Sequence, residues 1–311
     1  MKKKNFVLFG AAGYVAPKHL KAIKETGNNL IASYDVSDSV GIIDSYFPNS
    51  KFFTNESKIV KFIEKSNLSK KNKIDYLVIC TPNYLHESQI RLGLKSNLDV
   101  ICEKPLCLNP ENLFLIKKIE SKTKKKCYPI LQLRLHPQII DLKKNINKKK
   151  NIIDLVYITP RGQWYYQSWK GQEDKSGGIE SNIGIHFFDM LLWIYGKCKS
   201  FKVIYRDKTR SHGILELNKA TVKWYLSIDG NDLKKIKSKN KSHRILKANG
   251  QEVNFTDGFD KLHTTTYRKI ISKKSFLIDD TIKSIELVHK IRKAKQYGNI
   301  KDAEKYIKNL S

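Results

Sequence analysis

A short apolar stretch, Phe6–Phe9, runs directly into Gly10-Ala11-Ala12-Gly13-Tyr14-Val15-Ala16. Helical character follows from Pro17 to about Thr26, where Gly27 can stop it. No other feature of the chain constrains its fold so strongly. A buried strand that turns on glycine into a helix opens a βαβ unit, and it leaves the free N–H groups of the helix start facing the turn. Gly10 permits the tight turn, Gly13 admits a close approach of backbone to a pyrophosphate, and Ala16 is small enough for helix–strand packing. The spacing departs from G-x-G-x-x-G by one inserted residue, and Ala replaces the third glycine. On these residues alone, an ordinary βα turn and a dinucleotide cradle built on Gly10, Ala12, Gly13, Tyr14 and Val15 are both open.

Asp35 closes a second apolar strand, Leu30–Tyr34. A carboxylate at that place accepts hydrogen bonds from the adenosine ribose hydroxyls and repels a 2′-phosphate. Neither Arg nor Lys follows closely behind it, which favours NAD over NADP. The alternation continues with a strand at Tyr76–Cys80, a helix over Glu87–Lys95, a strand at Val100–Cys102, and a helix from Pro110 capped by Asn109. Short apolar strands alternating with helices predict a parallel sheet. Residues 1–125 therefore read as a Rossmann NAD-binding domain of an α/β protein.

The pattern changes in residues 126–311. Alternation predicts strands at Asp154–Thr159, Phe201–Tyr205, Ile214–Leu217, Thr221–Ile228 and Glu252–Phe255, a mostly antiparallel open sheet in an α+β domain, whose substrate-binding and oligomerisation role is what the family resemblance below implies. Two helices are predicted, Asn182–Tyr195 ended by Gly196, and Asp280–Lys295, which can pack back. The lysine-rich Asp232–Lys241 reads as a solvated loop.

The net charge is +29, and only eight of the 59 basic residues are arginine. Nucleic-acid readers favour the bidentate Arg fork, so scattered lysine argues for compositional bias and against a nucleic-acid partner. A second reading is attraction of an anionic small substrate. The five cysteines include no C-x-x-C pair, which fits reduced thiols in a cytoplasm and no metal site. Met1-Lys2-Lys3-Lys4 and the apolar run after it superficially resemble a signal peptide, but glycines interrupt the run and Pro17-Lys18-His19 follow it. The chain lacks an apolar run of the length that spans a membrane.

Two further segments carry chemistry. Cys80-Thr81-Pro82-Asn83-Tyr84-Leu85-His86 and Cys102-Glu103-Lys104-Pro105 lie at the carboxyl ends of predicted parallel strands, the side on which open α/β sheets bind ligands. In Gly177-Gly178-Ile179-Glu180-Ser181-Asn182-Ile183-Gly184-Ile185-His186-Phe187-Phe188-Asp189, the residues Asn182, His186 and Asp189 are spaced to project from one helical face. Taken singly, His186 is better read as a core histidine, Lys104 as one more solvated lysine, and Trp164, Trp169 and Trp193 as core, while Asp189 can be a packing hydrogen bonder; Cys102 and Cys107 pack.

In order along the chain, these segments resemble the glucose–fructose oxidoreductase / inositol dehydrogenase / MocA family of NAD(P)-dependent sugar oxidoreductases. The likeness extends over essentially the whole chain, including Asp260-Lys261-Leu262-His263 through Tyr267. A narrower resemblance rests on Gly10–His19, Ser39-Val40-Gly41-Ile42-Ile43-Asp44-Ser45-Tyr46-Phe47-Pro48, Leu131-Gln132-Leu133-Arg134-Leu135-His136-Pro137 and Gln167-Ser168-Trp169-Lys170-Gly171. These strings are similar to UDP-N-acetylglucosaminuronate 3-dehydrogenases, which oxidise the sugar at C3 during synthesis of bacterial surface polysaccharides (O-antigen, lipopolysaccharide). Asn182 stands where many members of the broad family carry Asp, as expected in the narrow group.

The resemblance implies Lys104, His186 and Asp189 as catalytic residues. The base is left open between His186 and a Lys104 of lowered pKa, and Asp189 positions His186. Thr81, Asn83, His86, Glu103, Lys104 and Trp169 join the glycine turn and Asp35 as cofactor contacts. Arg134, Arg161, Lys170, Asn182 and His186 become substrate contacts, the cations suiting a uronate or diphosphate. The partners implied are a UDP-sugar uronate, 2-oxoglutarate as reoxidant and further copies of the chain in a homodimer or homotetramer. Another sugar or polyol, such as an inositol, and a non-catalytic dinucleotide-binding protein are the competing readings.

Overall fold

The computed structural model describes residues 3–68, 73–255 and 258–310. The chain divides into two compact units, Met1–Gln132 with Asp260–Ile282, and Leu133–Phe259 with Lys283–Ser311. A single cut near residue 125 thus does not describe the first unit, because 260–282 returns to it. The cause is an apolar face. In the helix Leu262–Ile271, Tyr267 and Ile270 are fully buried in the same cluster as Phe6, Leu8, Leu20 and Ile101.

In the first unit the order is β1 (Asn5–Phe9), α1 (Ala16–Glu25), β2 (Asn29–Tyr34), β3 (Lys51–Phe53), α2 (Glu56–Leu68), β4 (Tyr76–Ile79), α3 (His86–Lys95), β5 (Asp99–Cys102), α4 (Glu111–Thr123) and β6 (Cys127–Pro129). The strands pair in parallel as β3-β2-β1-β4-β5-β6. Phe6, Val7, Leu8 and Phe9 are all buried, as a strand covered on both faces requires. α4 starts one residue later than expected. Pro110 occupies its cap position, and Asn109 Oδ1 still accepts from Glu111 N at 3.2 Å.

The second unit holds β7 (Asn151–Ile158), β8 (Cys198–Arg206), β9 (Arg210–Leu217), β10 (Ala220–Ser227), β11 (His243–Ala248) and β12 (Gln251–Glu252) in the order β12-β11-β7-β10-β9-β8. β7 and β10 run parallel and the other pairs antiparallel, so the sheet is mostly antiparallel. β11 was not foreseen; only Ile245 and Leu246 in it are buried, too short a pattern to read. The helix Ile185–Tyr195 covers one face, with Phe188 edge-on to Trp224 at 5.6 Å. On the other face, Ala303 and Ile307 of the helix Ile300–Lys308 pack with Val156, Ile158 and Tyr225.

Three local expectations are corrected. Asp232–Lys241 does not form a solvated loop throughout, since Gly230–Lys235 is helical and Asp232 is fully buried. Asp232 accepts from Arg210 Nε at 2.8 Å, Tyr225 Oη at 2.8 Å and Ser227 Oγ at 2.6 Å; the strands supply the partners that make its burial tolerable. Asp280 does not begin the long C-terminal helix. It caps a short turn by accepting from Leu277 N at 2.8 Å, and the helix runs Ile282–Lys293. Trp164 is 57% exposed rather than core.

Candidate functional site

Gly10 adopts φ +90°, a conformation glycine takes without penalty. The N–H groups of Gly10 and Ala11 both donate to Tyr34 O, at 2.8 and 3.2 Å, so the turn crosses the end of β2. A Cβ on Gly10 would stand 2.6 Å from the Cys80 carbonyl carbon and 2.7 Å from Thr81 N. The end of β4 therefore closes on the turn, and only glycine fits. Asp35 Oδ2 accepts from Ala12 N at 2.9 Å and Oδ1 from Ser37 N at 3.0 Å, which brings Gly10, Ala12 and Asp35 to one place. Gly13 N donates back to Gly10 O at 3.0 Å, Tyr14 is exposed and Val15 packs on the core.

α1 begins with neither a side-chain cap nor an acidic residue in its first turn, leaving its positive end to an anion. These residues fit NAD: a turn that excludes a side chain, an uncapped helix start and a carboxylate at the end of β2. Asp35 retains acceptor capacity on both oxygens after its backbone bonds.

The ends of β4 and β5 hold the next group, and here the structure redirects two expected cofactor contacts. His86 is buried, with Nδ1 2.7 Å from Pro105 O and Nε2 2.8 Å from Thr81 O. It is a strut between the two strand ends, and its burial holds the imidazole below its ordinary pKa. The Glu103 carboxylate is also turned inward. Its Oε1 lies 3.2 Å from both His19 Nε2 and His263 Nε2, and His19 Nδ1 lies 2.8 Å from Tyr267 Oη. Burial opposes ionisation of Glu103, yet the bonds from His19 and His263 outweigh it and hold the carboxyl well below its usual range. His19 is held below its ordinary value by burial.

Thr81 Oγ1 donates to Gln89 Oε1 at 2.7 Å, Asn83 is buried, and Lys104, after Glu103, is half-buried. Cys102 and Cys107 do pack; burial raises the first thiol well above its ordinary value and pushes the second up to about 12.

In the second unit, a π-turn over Glu180–Gly184 carries Asn182 and leads into the helix Ile185–Tyr195, which carries His186 and Asp189. The turn follows from packing: a Cβ on Gly184 would meet Leu226 Cδ1 at 2.9 Å, so β10 crowds the backbone there. His186 and Asp189 remain one helical turn apart, with His186 half-buried. Asp189 is buried and accepts from Arg134 Nε at 2.8 Å and Nη2 at 2.7 Å. Arg134, expected to meet an anionic substrate, is thus paired with Asp189 through Nε and Nη2.

Asn182 Nδ2 donates to Tyr165 Oη at 2.8 Å. Around Tyr165 the structure gathers the expected cations. Arg161 lies over the Tyr165 ring at 5.8 Å, and Lys170 over Trp169 at 4.4 Å and Trp164 at 5.4 Å. Burial and then the neighbouring Arg161 charge lower the Lys170 pKa. Two cations held on aromatic faces suit a planar or anionic ligand.

Sequence reasoning missed Tyr165, His19 and the roles of His263 and Tyr267. The signal for the last two lay in the quoted stretch His263-Thr-Thr-Thr-Tyr267, where they are four residues apart on a helix.

A parallel sheet with this turn, this carboxylate and a second mixed-sheet unit defines an NAD-binding oxidoreductase. Residues 4–130 match the NAD-binding Rossmann fold, and residues 152–256 the C-terminal alpha/beta domain, of one oxidoreductase family. The chain belongs to that family, the GFO/IDH/MocA oxidoreductases. Among solved structures it is similar to the WlbA (WbpB) dehydrogenase from Thermus thermophilus in complex with NAD and α-ketoglutarate, at 40% identity and TM-score 0.91, covering 95% of this chain and 96% of the other. The same enzyme in complex with NAD and UDP-GlcNAcA gives 39% identity, TM-score 0.90 and the same coverage. Inositol 2-dehydrogenase of Rhizobium meliloti is 30% identical over 125 residues, which is 40% of this chain and 37% of that protein. Glucose-6-phosphate 3-dehydrogenase of Bacillus subtilis is 21% identical over 202 residues, 62% of this chain and 54% of that protein. The chain therefore matches about half or less of the length of these curated relatives.

Proposed function

We propose that the chain oxidises the C3 hydroxyl of UDP-N-acetylglucosaminuronate to the 3-keto sugar, in the synthesis of sugars for bacterial surface polysaccharides. The observation that carries this reading is the 39% identity, over 95% of the chain, to an enzyme in complex with NAD and UDP-GlcNAcA. The similarity to that enzyme in complex with NAD and α-ketoglutarate supports 2-oxoglutarate as the reoxidant. The cations Arg161 and Lys170 beside Trp164 and Trp169 support a nucleotide diphosphate or uronate ligand. On this reading the enzyme works in the cytoplasm as a homodimer or homotetramer.

NAD, when bound, supplies the hydride acceptor. The glycine turn, the start of α1 and Asp35 hold it. Thr81, Asn83 and Trp169 complete its surroundings. The Lys104 ammonium hydrogen-bonds the reacting hydroxyl and stabilises the negative charge growing on that oxygen. His186 takes the hydroxyl proton. Asn182, tied to Tyr165, and the Arg161–Lys170 pair orient the sugar nucleotide. Asp189, gripped by Arg134, fixes the helix that carries His186.

The test supplies UDP-N-acetylglucosaminuronate with NAD and 2-oxoglutarate and follows formation of 3-keto sugar and 2-hydroxyglutarate by mass spectrometry. Both products are expected. Absence of 3-keto sugar both in a single turnover and with 2-oxoglutarate present, or oxidation of inositol in preference to the nucleotide sugar, would overturn the reading.

A further inference from the structure

Just past β5, Glu103 is turned into the interior and Lys104 follows it at a bend, half-exposed. Lys104 N donates to Glu103 Oε2 at 3.4 Å, so whatever holds the Glu103 side chain also bears on the backbone that directs Lys104. The hold on Glu103 is built from three distant residues. His19 comes from α1, and His263 and Tyr267 from the helix Leu262–Ile271. The two imidazole Nε2 atoms converge on the same carboxylate oxygen at 3.2 Å.

An ionised carboxylate only accepts, so both Nε2 atoms carry hydrogen. His19 Nδ1 is then the acceptor of the Tyr267 hydroxyl, 2.8 Å away. The chain Tyr267 → His19 → Glu103 ← His263 is consistent in donors and acceptors along these bonds, buried throughout, and braced by the stacking of Tyr267 on Phe6 at 5.8 Å. The three candidate ligand atoms also lie within 4.8 Å of one another, but a metal would require both Nε2 hydrogens to leave. The consistent hydrogen-bonded chain favours the metal-free arrangement.

We infer that His19, His263 and Tyr267 are positioning residues which, acting through Glu103, aim and electrostatically tune Lys104. This rests on the proposed role of Lys104 in the reaction. The other titratable groups facing the cluster are Lys18, Cys80, His86 and Cys102, and His86 also faces Lys104.

The test uses the full chain with His263→Gln and Tyr267→Phe, the second retaining the ring that packs on Phe6. Trace labelling with acetic anhydride across pH, read peptide by peptide, reports the apparent pKa of the Lys104 amine without any turnover. Both variants are expected to move that pKa by half a unit or more. They should lower kcat at least tenfold while KM and NADH affinity stay within threefold, and shift the pH profile of kcat with the amine. An unmoved Lys104 titration in folded variants would overturn the inference, as would a stoichiometric divalent metal in the purified protein. If Lys104 titration shifts but the wild-type chain turns over no nucleotide sugar, the proposed reaction fails and the positioning role stands.

Discussion

Arg134 and Asp189 form a two-pronged ion pair, 2.8 and 2.7 Å, with each side chain only 5% exposed. The pair joins the turn after Gln132 to the helix that carries His186, and it spans 55 positions of sequence. Asp189→Ala leaves a buried guanidinium without its counter-charge. A loss of about 3–5 kcal/mol is expected, seen as a fall of roughly 10 °C in the thermal midpoint. Replacing both partners by leucine should restore much of it. A variant as stable as the parent would show the pair to be dispensable.

Lys104→Ala and His186→Ala separate binding from chemistry. Each should lower kcat by about 10²–10⁴, the usual worth of a positioned proton-transfer group. NADH affinity, followed by fluorescence titration, should stay within a few-fold. Unchanged turnover in either variant would remove that residue from the reaction.

Gly10→Ala asks for a Cβ where the Cys80 and Thr81 backbone already lies, at a φ of +90°. The strained conformation alone costs about 1–3 kcal/mol. The variant should fold less stably and bind NADH at least tenfold more weakly. Wild-type affinity would mean that the turn does not meet the pyrophosphate.

Acid should weaken the first unit in two stages. The folded pKa of His19 lies below 6.5, so its contribution is complete above 6.5 and is lost as pH falls through the folded value. Glu103 is depressed as well, so its contribution is complete above about 4.5 and is lost at lower pH. Thermal midpoints between pH 8 and pH 4 should fall from the upper boundary downward, and His19→Gln should flatten the upper stage.

Much of the first unit was legible because its signals are local. The strand into Gly10, the α1 start, Asp35 at the end of β2 and the Glu103-Lys104-Pro105 segment are contiguous, and buried strands read directly as apolar runs. The mostly antiparallel character of the second sheet was legible too, from alternation. β11 was not, since only two of its side chains are buried.

The site residues divide in the same way. The sequence identified which residue types stand at strand ends, but not which way their side chains turn. Glu103 and His86, expected at the cofactor, face inward to His263 and to the Pro105 and Thr81 carbonyls. Arg134, expected at the substrate, is also paired with Asp189, a partner the sequence did not indicate.

By itself the sequence determined the two sheets, the glycine turn, the preference for NAD and the order of the chemical groups, because turn geometry and hydrophobic period act over a few residues. Tertiary structure alone decided the return of 260–282 to the first unit and the pairing of Glu103 with His19 and His263, 84 and 160 positions away. A buried charge must find its partners in space, and nothing in the spacing along a chain records which distant segment will bring them.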